Sequence, residues 1–110
     1  MATAYKNAQL QGTASLSTYG TLYSTGASTT AVISSIVVTN TASAAKQYRV
    51  AIMGSAGTPA AANWIVYDAT IAGNDSVALT LGITLGNTQF IRVSSTDNTV
   101  TFSAYLSEIT

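Results

Sequence analysis

From residue 46 onward, large apolar side chains fall at every second position in one run after another. In residues 47–52, Tyr48, Val50 and Ile52 share one face while Gln47, Arg49 and Ala51 share the other. In residues 76–81 the shared apolar face is Val77, Leu79 and Leu81; in residues 99–106 it is Val100, Phe102, Ala104 and Leu106. Successive side chains of an extended strand point to opposite faces, so each run predicts a strand with one buried side.

Other segments are less one-sided. Residues 31–39 carry apolar groups on both faces, which suits a central strand or one covered by a neighbouring subunit. Residues 64–68 and 90–93 are rich in the β-branched and aromatic types that strands favour, and residues 16–24 form a weaker strand interrupted by Gly20. Turn chemistry separates the runs at 24–28, 72–75, 85–88 and 95–98, where Gly, Asn and Asp recur. The longest connection, 54–63, holds the single proline, Pro59, and a short turn is expected near residues 60–63. No apolar repeat of 3.6 residues extends over ten positions. The pattern predicts an all-β, single-domain antiparallel β-sandwich of seven or eight short strands. Jelly-roll and immunoglobulin-like connectivities both fit. Residues 1–15, mostly small and polar, stand apart as an N-terminal arm or edge segment, leaving 16–110 for the sandwich.

Charge changes the picture most. Only 7% of residues are charged, four basic against four acidic, where roughly a quarter is usual in a soluble domain. With 47% hydrophobic residues this is the composition of a packed globule, and its neutral surface does little to keep copies apart. Lys6, Lys46, Arg49 and Arg92 are scattered, so no basic stripe points to nucleic acid or anionic lipid. The N-terminus lacks the apolar stretch of a signal peptide, and the longest run of large aliphatic residues, Ile36, Val37 and Val38, is far too short to span a membrane. Synthesis in the cytoplasm is the expectation.

Candidate chemistry is sparse. Histidine and cysteine are absent, which removes His-based triads, thiol catalysis, disulfides and the common zinc ligand sets. Of the four carboxylates, Asp75 and Asp97 lie in turn sequences, Asp68 reads as a solvated strand residue, and Glu108 sits near the C-terminus. Residues 54–58 resemble a phosphate loop only superficially, lacking its Lys-Ser/Thr ending and a following helix. The triplet at 74–76 matches a glycosylation acceptor and reads as turn chemistry. Trp64, Tyr67, Tyr48 and Phe90 are aromatic enough for a sugar- or base-stacking platform, but strand aromatics more often pack in cores and between subunits. No enzyme activity, cofactor, metal or small-molecule substrate is expected. Tyrosine is enriched at protein interfaces, so Tyr5, Tyr19 and Tyr23 are candidate contact residues. Leu10 of the arm, and Ile33 and Val37 of the two-sided strand, join them.

Several short stretches taken in order resemble a family of small virion structural proteins of tailed bacteriophages, those of cyanobacterial phages especially. They are residues 21–24, 31–40, 48–50, 67–68, 71–76 and 81–85, closing on 102–110 with Phe102-Ser103-Ala104-Tyr105-Leu106-Ser107-Glu108-Ile109-Thr110. Thr39 stands where that family usually has a cysteine. The resemblance implies a virion component, on the head or in the tail. The favoured expectation is a capsid decoration, or cement, protein that binds major capsid protein in the assembled head, as a homotrimer at local threefold positions. A tail, baseplate or fibre module that helps to attach to the host surface is the alternative.

Overall fold

The alternating runs fold into strands of two facing antiparallel sheets. The computed structural model describes residues 2–110. In chain order the strands are β1 (Thr3–Gln11), β2 (Gly20–Ser24), β3 (Thr30–Asn40), β4 (Lys46–Met53), β5 (Trp64–Ile71), β6 (Asp75–Leu79), β7 (Ile83–Leu85), β8 (Phe90–Ser95) and β9 (Val100–Ile109). Among the described residues the one helical element is a 3-10 turn, Ala61–Asn63, at the position expected for a short turn. There the Ala60 N–H donates to Asn63 Oδ1 at 2.8 Å and the Asn63 N–H to the Ala60 carbonyl at 3.0 Å.

The first sheet runs β1–β9–β3–β6, with β7 also on β3; the second runs β2–β8–β4–β5. The chain is paired like a folded ribbon: β1 with β9, β2 with β8, β3 with β6 and β7, and β4 with β5. Rolling such a ribbon into two sheets gives jelly-roll connectivity, which decides between the two arrangements that the sequence left open.

Nine strands form where seven or eight are expected. Residues 3–11 are a full strand of this chain's own sheet. The edge opposite β3 is divided into β6 and β7. Leu81, expected on the buried face with Val77 and Leu79, is 55% exposed. Strand β6 ends at Leu79, and Gly82 at φ +63° turns the chain toward β7. Of residues 16–24, only Gly20–Ser24 pair as a strand.

The core lies between the sheets and follows the alternation. Ile36, Val38, Phe102 and Val100 from the first sheet meet Val50, Val93 and Ile91 from the second, each at 1% exposure or less. Tyr48 packs its ring edge-on against Phe102, with centroids 6.3 Å apart, and burial pushes its phenol pKa upward. Asn40, 1% exposed, is a buried polar tie at one end. Its amide donates to the carbonyls of Ala44 (2.9 Å), Ile71 (3.3 Å) and Ala72 (3.2 Å), and its Oδ1 accepts the Ala42 N–H at 3.0 Å. A buried amide is tolerated there because its polar atoms have partners.

Candidate assembly surfaces

The outer face of the first sheet is set by register. Phe102, Ala104 and Leu106 point inward with Leu10, Ala8 and Lys6 opposite them. The outward set on β9 is therefore Thr101, Ser103, Tyr105, Ser107 and Ile109, flanked on β1 by Gln11, Gln9, Asn7, Tyr5 and Thr3. On the other side of β9, β3 contributes Thr39, Val37, Ser35, Val32 and Thr30, and beyond it Ser76, Ala78 and Thr84 complete the face. None of these side chains is charged. Tyr5 (90% exposed) and Val32 (39%) flank Ser107 in one cross-strand row, and Tyr105 (42%) stands in the next row between Asn7 and Ser35. A shallow depression lies among Tyr5, Val32, Ser34 and Tyr105, and Lys6, whose side chain turns to the inner side, borders it.

A bulge decides which residues of β3 reach this face. Ile33 opposes Leu106 and Ser35 opposes Tyr105, so Ser34 is the extra residue, and its hydroxyl donates to the Tyr105 carbonyl at 2.9 Å. Simple alternation would place Ile33 and Val37 on one side. With the bulge, Ile33 is 1% exposed in the core, whereas Val37 is half-buried on the outer face beside Ser103. Val32 and Tyr105 take the exposed places.

The outer face of the second sheet is built differently. The segment joining β1 to β2 crosses it, so Ala51 and Ser94 are fully buried although their register points them outward. Arg49 is the hub. Its guanidinium holds Asp68 through Nε–Oδ1 (2.5 Å) and Nη2–Oδ2 (3.3 Å), and donates from Nη1 to the Leu16 carbonyl (3.2 Å) and the Tyr19 hydroxyl (3.1 Å). The guanidinium lies 4.3 Å from the Tyr67 ring centroid and 5.5 Å from that of Trp64. Trp64 meets Tyr67 edge-on at 5.0 Å and Tyr19 at 5.8 Å. The Asp68 hydrogen bonds push Arg49 still further from deprotonation. Asp68 is thus an ion-pair partner and not the freely solvated strand residue that alternation predicts. A bulge sets Tyr67 and Asp68 together opposite Arg49, and Asp68 takes a left-handed φ of 53°.

A third cluster joins the sheets at one end. Tyr23 of β2 donates its hydroxyl to one carboxylate oxygen of Glu108 on β9, and Lys6 Nζ of β1 sits 2.8 Å from the other. Hydrogen bonds from Lys6 and then Tyr23 hold the Glu108 carboxyl below its usual range; burial first, and then Glu108, push the Tyr23 phenol upward.

The six candidate contact residues therefore disperse. Tyr5 and Val37 belong to the uncharged face, Tyr19 to the Arg49 cluster and Tyr23 to the Glu108 bridge. Leu10 packs half-buried against the core, and Ile33 lies within it. Val32 lies at the start of the strand, residues 32–38, that the sequence marks as a contact surface; Tyr105 was missed, although the positions between the buried residues of 99–106 were a legible signal for it. The carboxylates have local partners: Asp68 with Arg49, Glu108 with Lys6 and Tyr23, Asp97 with Lys46 at 3.3 Å, and Asp75 with the Ser76 N–H at 2.8 Å. No family model, curated protein or solved structure matches this chain.

Proposed function

We propose that this chain is a non-enzymatic virion structural protein that decorates an assembled phage head, docking on the major capsid protein through the outer face of β1–β9–β3–β6. The observation that carries the reading is the make-up of that face. It spans the five strands of the first sheet without one charged side chain, and it groups Tyr5, Val32 and Tyr105 in adjoining rows. Charged groups are depleted and aromatic ones enriched at the centres of protein interfaces. The sequence resemblance described above supports the virion setting.

The mechanism is thermodynamic. A protein that binds the assembled lattice and not the free subunits stabilises the lattice by mass action. Bridging several subunits lets modest individual contacts hold firmly. The host-attachment alternative would need open aromatic faces at Trp64 and Tyr67. Tyr67 is 57% exposed, but Arg49 occupies one face of its ring and the two rings meet edge to face, so they form no flat stacking platform and that surface supports attachment less well.

Cosedimentation with assembled heads and with free capsid subunits tests the reading. Wild-type protein is expected to pellet with heads and not to bind subunits, and Tyr105→Lys, which places a charge on the face, is expected to stay in the supernatant. Equal binding of wild type and variant, or no binding to heads, would refute the docking face.

A further inference from the structure

Four strand edges flank the two sheets, and three are interrupted. The β6–β7 edge is broken by the turn at Gly82; β2 is five residues long with a bulge; β5 carries two register breaks and the left-handed Asp68. Such interruptions are how β proteins keep open edges from pairing with other chains. Strand β1 has none of them. Its nine residues pair with β9 in unbroken register, without proline or glycine.

The hydrogen-bond phase shows what that edge offers. Ala2 and Thr110 exchange both backbone bonds, at 3.0 and 2.9 Å, and the Gly12 N–H reaches the Val100 carbonyl at 2.7 Å. Even-numbered residues of β1 therefore bond β9, and the N–H and C=O of Thr3, Tyr5, Asn7, Gln9 and Gln11 point away from it. Among the described residues these backbone groups have no partner. The one charge on the strand, Lys6, points to the inner side, where it pairs with Glu108 while its side chain stays 54% exposed; it is the single edge-guarding feature that β1 carries.

We infer that β1 is a self-pairing strand: two copies of the chain join antiparallel, edge to edge, around a twofold axis at Asn7. In that register Thr3 faces Gln11 of the second copy, Tyr5 faces Gln9 and Asn7 faces Asn7, five pairs that each exchange two hydrogen bonds. Every outward pair is uncharged, and Lys6 falls opposite Ala8. Moving the axis by one residue to Lys6 would place the two lysines opposite one another and shorten the overlap, so full overlap and charge select the same register. The pairing leaves the outer face of the sheet free and continues it across both copies. It favours a twofold group in place of the threefold one expected from the sequence. It stands on β1 alone and holds or fails in solution without any shell.

Light scattering and sedimentation equilibrium of the full chain test the inference. Wild type is expected at about twice the chain mass of 11.3 kDa. Asn7→Pro removes an N–H from the free edge while sparing the β1–β9 ladder, and is expected to run at the single-chain mass with an unchanged circular dichroism spectrum. Asn7→Lys sets like charges face to face on the axis and is expected to do the same; it decides the question if the proline variant fails to fold. A wild type that stays monomeric at millimolar concentration, one that runs at three chain masses, or a dimer that survives the folded variants would overturn the inference.

Discussion

The Tyr23 hydroxyl and the Glu108 carboxylate join the two sheets of the sandwich across its end, with Lys6 completing the bridge. The bond spans 85 positions of sequence. Removing it by Tyr23→Phe is expected to lower stability by about 1 kcal/mol in urea unfolding, the usual worth of a partly buried hydrogen bond.

The same bridge sets a pH window. The Glu108 carboxyl is lowered in the folded chain, so its contribution is complete above the unfolded value of about 4.3 and is lost as pH falls through the folded one. The Tyr23 phenol is raised, so its contribution is complete below about pH 10 and fades as pH rises through its folded value. Melting temperature is expected to fall on both sides of this window in wild type. Glu108→Gln should flatten the acid limb, and identical acid limbs for the two proteins would show that the bridge does not couple to stability.

Asp68 joins an ion pair to a left-handed backbone, and substitutions separate the two. Asparagine tolerates φ near 53° and keeps one acceptor, whereas alanine loses both advantages. Asp68→Asn is expected to cost about 1 kcal/mol and Asp68→Ala about 2–3 kcal/mol. Trp64, the single tryptophan, stands 5.5 Å from Arg49 and should report the loss of the pair as a fluorescence change in both variants.

Thr88 adopts φ 55° at the turn where Gly86 and Asn87 would be the natural left-handed residues. Long-range bonds explain the placement: Thr88 N–H donates to the Gly26 carbonyl at 3.0 Å, and buried Thr25 donates from Oγ1 to the Gly86 carbonyl at 2.6 Å. Tertiary contacts fix the turn, and a β-branched residue carries the strain. Thr88→Gly is expected to raise stability by about 1 kcal/mol, measured by chemical unfolding.

Adjacent residues of β3 have opposite roles. Ile33→Ala is expected to cost about 2–5 kcal/mol, because Ile33 is core at 1% exposure. Val32→Ala, at 39% exposure, should leave stability within about 0.5 kcal/mol, and under the proposed docking it weakens binding to heads.

How much of this was legible follows from where alternation holds. The buried faces of 47–52 and 99–106 read correctly because both runs keep a strict two-residue period. Ile33 and Asp68 did not, because each lies at or beside a bulge, and an extra residue in one strand is set by its partner across the ladder. The 1–15 segment gave no apolar period because most of β1 is exposed on both faces. Its pairing is carried by backbone bonds, which leave little mark on composition. The Arg49 hub was hidden for another reason: its five partners come from two segments that only the sheet brings together.

The most direct test of the proposed head decoration is the copy number of this chain in purified phage particles assembled in its presence, counted by quantitative mass spectrometry against the major capsid protein. Decoration of the head through the uncharged face is expected to give a copy number of the same order as the capsid protein, falling sharply for Tyr105→Lys. A few copies per particle, or none, would contradict it.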